Sequence, residues 1–211
     1  MFDRQIQKFT QKPLAVIAKV FIKIIKPNHM TILGFIFGLF MYKRQLFMCI
    51  LVFFQFYLLA LVLLMLNRFC DGLDGTMARL TIPTPLGGYL DIVFDFIIYS
   101  GFVLAFGLSN SNYTIISMVL LFLYIGTGTT FLARAALQTQ LDKTHHSSEL
   151  NQELPKSFYY SSGLIEGTET IIFMILCLLL PNFYILISTI FGILCLITFI
   201  SRVVVCYKEF I

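Results

Sequence analysis

Charge is scarce in this chain. Charged residues make up 12% of its 211 positions, and the mean hydropathy is +0.87. Soluble domains carry about 25% charged residues, so a soluble fold of this size could not hide so much apolar surface. That leaves an integral membrane protein of one domain. Metal-ligand cysteine spacing is absent too. Cys49, Cys70, Cys177, Cys195 and Cys206 all sit among apolar neighbours, which excludes a disulfide framework and reads as small buried hydrophobes. No internal repeat supports an inverted-repeat transporter. The first apolar stretch lacks the small-residue cleavage site of a signal peptide. Six of the fifteen basic residues fall in the first 26 positions, within a net charge of +4. That run leads straight into bilayer-grade sequence, which excludes nucleic acid as a partner and suits an anionic cytosolic membrane surface.

What is present is a succession of apolar runs. Pro13 to Lys26 puts Lys19, Lys23 and Lys26 on one helical face. It is too short and too charged to span, and fits an amphipathic helix lying on the membrane. Pro27-Asn28 ends it. Spans are then expected from Met30 to about Tyr42, Leu46–Leu66, Leu86–Leu108, Tyr113–Leu137, Phe158–Leu180 and Phe183–Cys206. The expected fold is all-α: a single membrane domain over 1–211, with 1–27 interfacial and 28–211 a core of six transmembrane helices. Six spans put both termini on one side. The basic N-terminus, Arg79, the polar 138–156 stretch and Lys208 share that side, whereas the turns at Ser109 and Pro181 carry no charge. The positive-inside rule makes the charged side cytosolic. Lys43-Arg44 falls on the other side in this count, with snorkelling as its only physical account.

Against this background stand four aspartates. Asp71 and Asp74 are three apart, and Asp91 and Asp95 are four apart, so on helices each pair shares a face. Pro83 and Pro85 mark a loop between them, which lets the two helices run antiparallel and the pairs meet. Four carboxylates at a membrane edge repel one another and are costly to desolvate. Two divalent cations would balance them, and an all-oxygen donor set favours Mg²⁺, Mn²⁺ or Ca²⁺ over zinc. Paired metals about 3.5–4 Å apart clamp the attacking and leaving oxygens in phosphoryl chemistry. Gly75 and Ala78 leave room for a phosphate-bearing ligand near the backbone, and Arg79 offers a fork for phosphate oxygens. Gly87 and Gly88 either admit the ligand or let two helices pack closely.

The pattern Asp71-x2-Asp74-Gly75-x2-Ala78-Arg79, followed by Gly87-x3-Asp91-x3-Asp95, resembles the signature of the CDP-alcohol phosphotransferases, in a bacterial-type member. The resemblance implies a six-span, homodimeric membrane enzyme with its site at the cytosolic side of the bacterial inner membrane. It implies metal binding by Asp71, Asp74 and Asp91, with Asp95 both a ligand and the general base. It implies contacts to the CDP part of the donor from Asp71, Gly75, Ala78, Arg79 and Gly87. The implied reaction transfers a substituted phosphate from a CDP-alcohol, CDP-diacylglycerol in a member of this kind, to an acceptor alcohol, releasing CMP. Two ions, Mg²⁺ or Mn²⁺, are the implied cofactors. Leu80 to Leu86 is one residue shorter than the family's usual spacing. Taking Gly88 in place of Gly87 restores it at the cost of the gap to Asp91, and a loop absorbs a deletion more readily than a helix does.

Outside the signature, Arg134 and Arg202 lie near the cytosolic ends of their spans and are the candidate acceptor-binding residues, for a phosphorylated acceptor; snorkelling is the alternative. Glu166 and Glu169 sit one turn apart, early in the expected fifth span, as functional carboxylates or as ion-pair partners of those arginines. His145 and His146 read as a solvated pair. The rival function is a cation transporter or channel using intramembrane carboxylates. It leaves Gly75, Ala78 and Arg79 unexplained.

Overall fold

A computed structural model describes residues 47–80, 85–146 and 163–209, of which 70–75, 77–80, 85, 87, 90, 91, 138–146 and 209 are described by backbone alone. The described residues are helical, with no strand among them. The helices are α1 over 47–53, α2 Tyr57–Leu80, α3 Pro85–Ser109, α4 Thr114–His146, α5 Gly167–Leu179 and α6 Tyr184–Glu209. Short 3₁₀ turns, Ser111–Tyr113 and Pro181–Phe183, lead into α4 and α6. Proline opens both α3 and the second of these turns, where its fixed φ suits a first helical position and no backbone N–H is lost.

Three helical stretches are long and apolar enough to cross a membrane: Ile92–Ser109, Ser111–Leu137 and Pro181–Lys208. Tyr57–Phe69 and Gly167–Leu179 are shorter apolar helices. The expected interfacial helix and first span lie outside the described residues. Two expected spans need correction. The run Leu46–Leu66 is not one helix, because the chain breaks at 54–56. Gln55 has φ 64°. Its N–H donates to Val52 O at 3.0 Å, and the Phe56 N–H donates to Leu51 O at 2.8 Å. This pair of bonds around a left-handed residue is a Schellman termination. The turn between the first two helices is therefore uncharged and lies beyond Lys43-Arg44. The run Phe158–Leu180 is also shorter than expected: 163–166 is not helical and α5 begins only at Gly167. Its 13 residues reach about 20 Å, less than the about 30 Å of bilayer hydrocarbon.

Three turns gather at one end. Gln55 Nε2 donates to Ser109 O at 3.3 Å, and Tyr113 OH donates to Pro181 O at 3.2 Å. Beneath them the aromatic rings stack. Tyr57 lies on Phe106 at 5.4 Å between centroids, and Phe106 on Tyr184 at 4.3 Å. Tyr184 is fully buried and shares a 2.8 Å hydrogen bond with Ser117 Oγ. Deeper, Phe173 stacks on Phe191 at 4.2 Å and meets the edge of Phe102. Each polar tip among these rings needs a partner, since no water is at hand.

Association in lipid relies on close packing rather than on the hydrophobic effect. On α4, Ile115, Met118, Phe122 and Ile125 form an exposed apolar stripe at helical spacing, which suits contact with lipid. The other side carries small residues. A Cβ on Gly128 would sit 2.5 Å from Phe96 Cε1 of α3. Gly128→Val should therefore cost about 1–3 kcal/mol, read as a lower melting temperature in detergent. Among the described residues a Cβ on Gly88 meets nothing within 4 Å, so Gly88→Ala in the same assay should stay within about 0.5 kcal/mol of the parent.

Candidate functional site

The backbone stays helical through both aspartate pairs. Asp71 and Asp74 lie in the last turns of α2, and Asp91 and Asp95 in the first turns of α3. The paired registers read from the sequence are thus those of real helices. Only residues 81–84 separate the two helices, so they run in opposite directions. One described contact fixes how they lie. Arg68 Nη2 donates to Asp95 Oδ1 at 3.2 Å. At 1.5 Å per residue, Asp71 and Asp74 lie about 4.5 and 9 Å beyond Arg68, and Asp91 about 6 Å beyond Asp95. All are displaced towards the same end. Gly75, Ala78 and Arg79 continue along α2, and Gly87 lies in the first turn of α3.

Ala60, Leu64 and Asn67 are buried on α2 at i, i+4 and i+7, and Asp71 and Asp74 follow at the next positions of that helical register. Asn67 is 3% exposed, and neither its amide nitrogen nor its oxygen has a partner among the described residues. Neither Asn67 nor Arg68 belongs to the pattern read from the sequence. The spacing of Arg68, three before Asp71, was the signal that could have drawn it in; its partner, 27 residues away, was not visible.

The two arginines expected near the acceptor come together. Arg134 on α4 and Arg202 on α6 line one groove of about 470 Å³, with Thr130, Leu137, Cys206 and Tyr207. Arg202 is 6% exposed and does not snorkel. Its Nη1 donates to Thr127 O at 3.0 Å, and its guanidinium lies 5.7 Å from the Phe131 ring centre. A Cβ on Gly163 would be 2.7 Å from Arg202 Nη2, so glycine lets the chain before α5 pass over the guanidinium. Arg202 Nε is buried without a partner among the described residues.

Glu166 and Glu169, expected early in a span, stand at the start of a helix shorter than a span. Glu166 is the N-cap of α5, and the pair forms a capping box in which the Glu166 N–H donates to Glu169 Oε2 at 3.0 Å. The Ile165 N–H donates to Thr198 Oγ1 of α6 at 3.0 Å, tying this start to the bundle. Glu166 also acts electrostatically on Arg202, so both the cap and the ion-pair reading have support. His145 and His146 fall in the final turn of α4, described by backbone alone, rather than in a loop.

Counting residues from the turn-bearing end brings the two groups to one level. Asp71 and Asp95 lie about 21 Å along their helices, Asp74 and Asp91 about 26 and 27 Å, and Arg202 and Arg134 about 27 and 30 Å. Acids and arginines therefore share the end opposite the uncharged turns. The acids fit a divalent-metal site on donor chemistry: four carboxylates from two helices, within a few turns of one another.

A family model described as CDP-alcohol phosphatidyltransferase matches residues 24–201. The chain is also similar to a protein named inner membrane protein YnjF from Escherichia coli (strain K12). The two are 40% identical over 185 residues, covering 85% of this chain and 82% of the relative.

Proposed function

The chain belongs to the CDP-alcohol phosphatidyltransferase family, and from that premise we propose that it transfers a phosphatidyl group from CDP-diacylglycerol to an acceptor hydroxyl, releasing CMP. The observation that carries this reading is the level shared by the four acid positions and the arginine groove. A nucleotide-bearing lipid and a soluble acceptor can meet there at one membrane face. We place that face in the cytosol, in a six-span homodimer of the inner membrane, from the charge asymmetry, the family and the relative's name.

Asp71, Asp74, Asp91 and Asp95 would hold two Mg²⁺ or Mn²⁺ ions. Bound there, the ions supply the positive charge that offsets the pyrophosphate and the departing CMP. Gly75, Ala78 and Gly87 leave space for the CDP part along α2 and α3, and Arg79 pairs with its phosphate oxygens. Asp95 accepts the acceptor's hydroxyl proton as that oxygen attacks the phosphorus bearing the diacylglycerol. The new P–O bond forms as the bond to the CMP oxygen breaks. Arg134 and Arg202 orient the acceptor through a phosphate that it carries.

The test incubates purified protein with CDP-diacylglycerol, Mn²⁺ and a panel of free and phosphorylated alcohols, following CMP and identifying the lipid by mass. CMP release with a phosphorylated acceptor is expected. Arg202→Gln should raise that acceptor's KM about 10- to 100-fold, the range for one charged hydrogen bond, and leave the donor KM unchanged. Ion flux without CMP would establish the transporter reading instead.

A further inference from the structure

We propose that Arg68 is a positioning residue of this centre, a tethered cation that holds the Asp95 carboxylate and offsets the acids' charge before divalent metal enters. The assignment rests on the phosphotransfer reading for the role of Asp95. No part of the signature includes Arg68. It lies three residues before Asp71, on the same face of α2. Its Nη2 donates to Asp95 Oδ1 at 3.2 Å across the helix pair. The two side chains are 15% and 30% exposed, so solvent screens the pair less than a surface pair.

The position has two consequences. A guanidinium bonded to Oδ1 restricts the rotamer of Asp95, the group that must meet the acceptor's hydroxyl. The same positive charge relieves repulsion among four carboxylates when no metal is present, yet opposes arriving cations. Arg79 lies 11 residues further along α2, about 16 Å on. The acid positions of α2 thus lie between two arginine positions along the helix. Removing Arg68 should therefore tighten metal binding and weaken catalysis together, a combination that general damage to the fold does not produce.

The experiment measures Mn²⁺ binding by electron paramagnetic resonance without donor, melting in EDTA, and steady-state kinetics. Arg68→Gln should bind Mn²⁺ about tenfold more tightly. Its melting temperature in EDTA should fall, and its kcat should fall at least about tenfold with donor KM within about twofold. Arg68→Lys keeps the charge and should hold Mn²⁺ affinity within about threefold of the parent. In an Asp95→Asn background, where the contact is a neutral hydrogen bond, Arg68→Gln should lower the melting temperature by less than it does in the parent. Unchanged or weaker Mn²⁺ binding in Arg68→Gln, parental kcat in that variant, or Arg68→Lys matching Arg68→Gln would each overturn the proposal. If the parent protein releases no CMP with any acceptor, the phosphotransfer reading fails, while Mn²⁺ binding and melting still decide whether Arg68 offsets the site's charge.

Discussion

Asp95→Asn should lower turnover about 10³-fold or more while largely sparing nucleotide binding. Asparagine keeps the size of the side chain and an oxygen that can accept from Arg68, but it cannot take a proton from an attacking hydroxyl. General bases contribute about 10²–10⁴-fold, and Asp95 is also a proposed metal ligand, so the loss should lie towards the top of that range. CMP release at saturating Mn²⁺ checks it, with CDP affinity measured separately by isothermal titration. Near-parental turnover would remove Asp95 as the base. A loss of CDP binding equal to the loss of turnover would make it a nucleotide contact instead. The existing hydrogen bond from Arg68 at 3.2 Å makes the substitution informative, because the neighbouring helix pair keeps a contact and the fold is less exposed to the change.

The sequence carried the register of the acids because register is a local property. Three and four residues between aspartates mean one helix face wherever a helix forms, and helices form over both pairs. The uncharged turns at Ser109 and Pro181 were legible from their polar and proline residues, and the structure brings their neighbours Tyr113 and Pro181 into contact. The break at 54–56 was not legible. Phe54-Gln55-Phe56 offers no glycine or proline, and hydropathy runs through it without interruption. A left-handed Gln55 is imposed by the close of α1 and the packing of Tyr57 on Phe106, which are tertiary facts. The start of α5 was hidden similarly: the apolar pattern does not separate a span from a short helix preceded by extended chain. Glu166 and Glu169 read as functional carboxylates or ion-pair partners, because the sequence does not show that the helix begins between them and makes them its cap. Arg134 and Arg202, 68 positions apart in sequence, share a groove only because α4 and α6 leave from turns at one end and run side by side.

Chelation should silence the protein, and it should do so through its folding as well as its turnover. In EDTA, CMP release should fall below detection, and Mg²⁺ or Mn²⁺ should restore it. Activity that persists in chelator would remove the two-metal argument. The stability effect is independent of substrate. An ion that binds only the folded protein stabilises it by about 2.7 kcal/mol at a concentration of 100 times its Kd. Melting temperature should therefore climb with Mn²⁺ in the absence of CDP-diacylglycerol. Asp71→Asn and Asp91→Asn each remove one acid, one from each helix of the pair. Each should flatten that climb and raise the melting temperature in EDTA, since one negative charge fewer is crowded at the membrane edge. This crossing, less stable with metal and more stable without, is what distinguishes a ligand from an acid that merely caps or solubilises a helix end. An aspartate variant whose melting curves shift equally with and without Mn²⁺ would exclude that residue from the metal set.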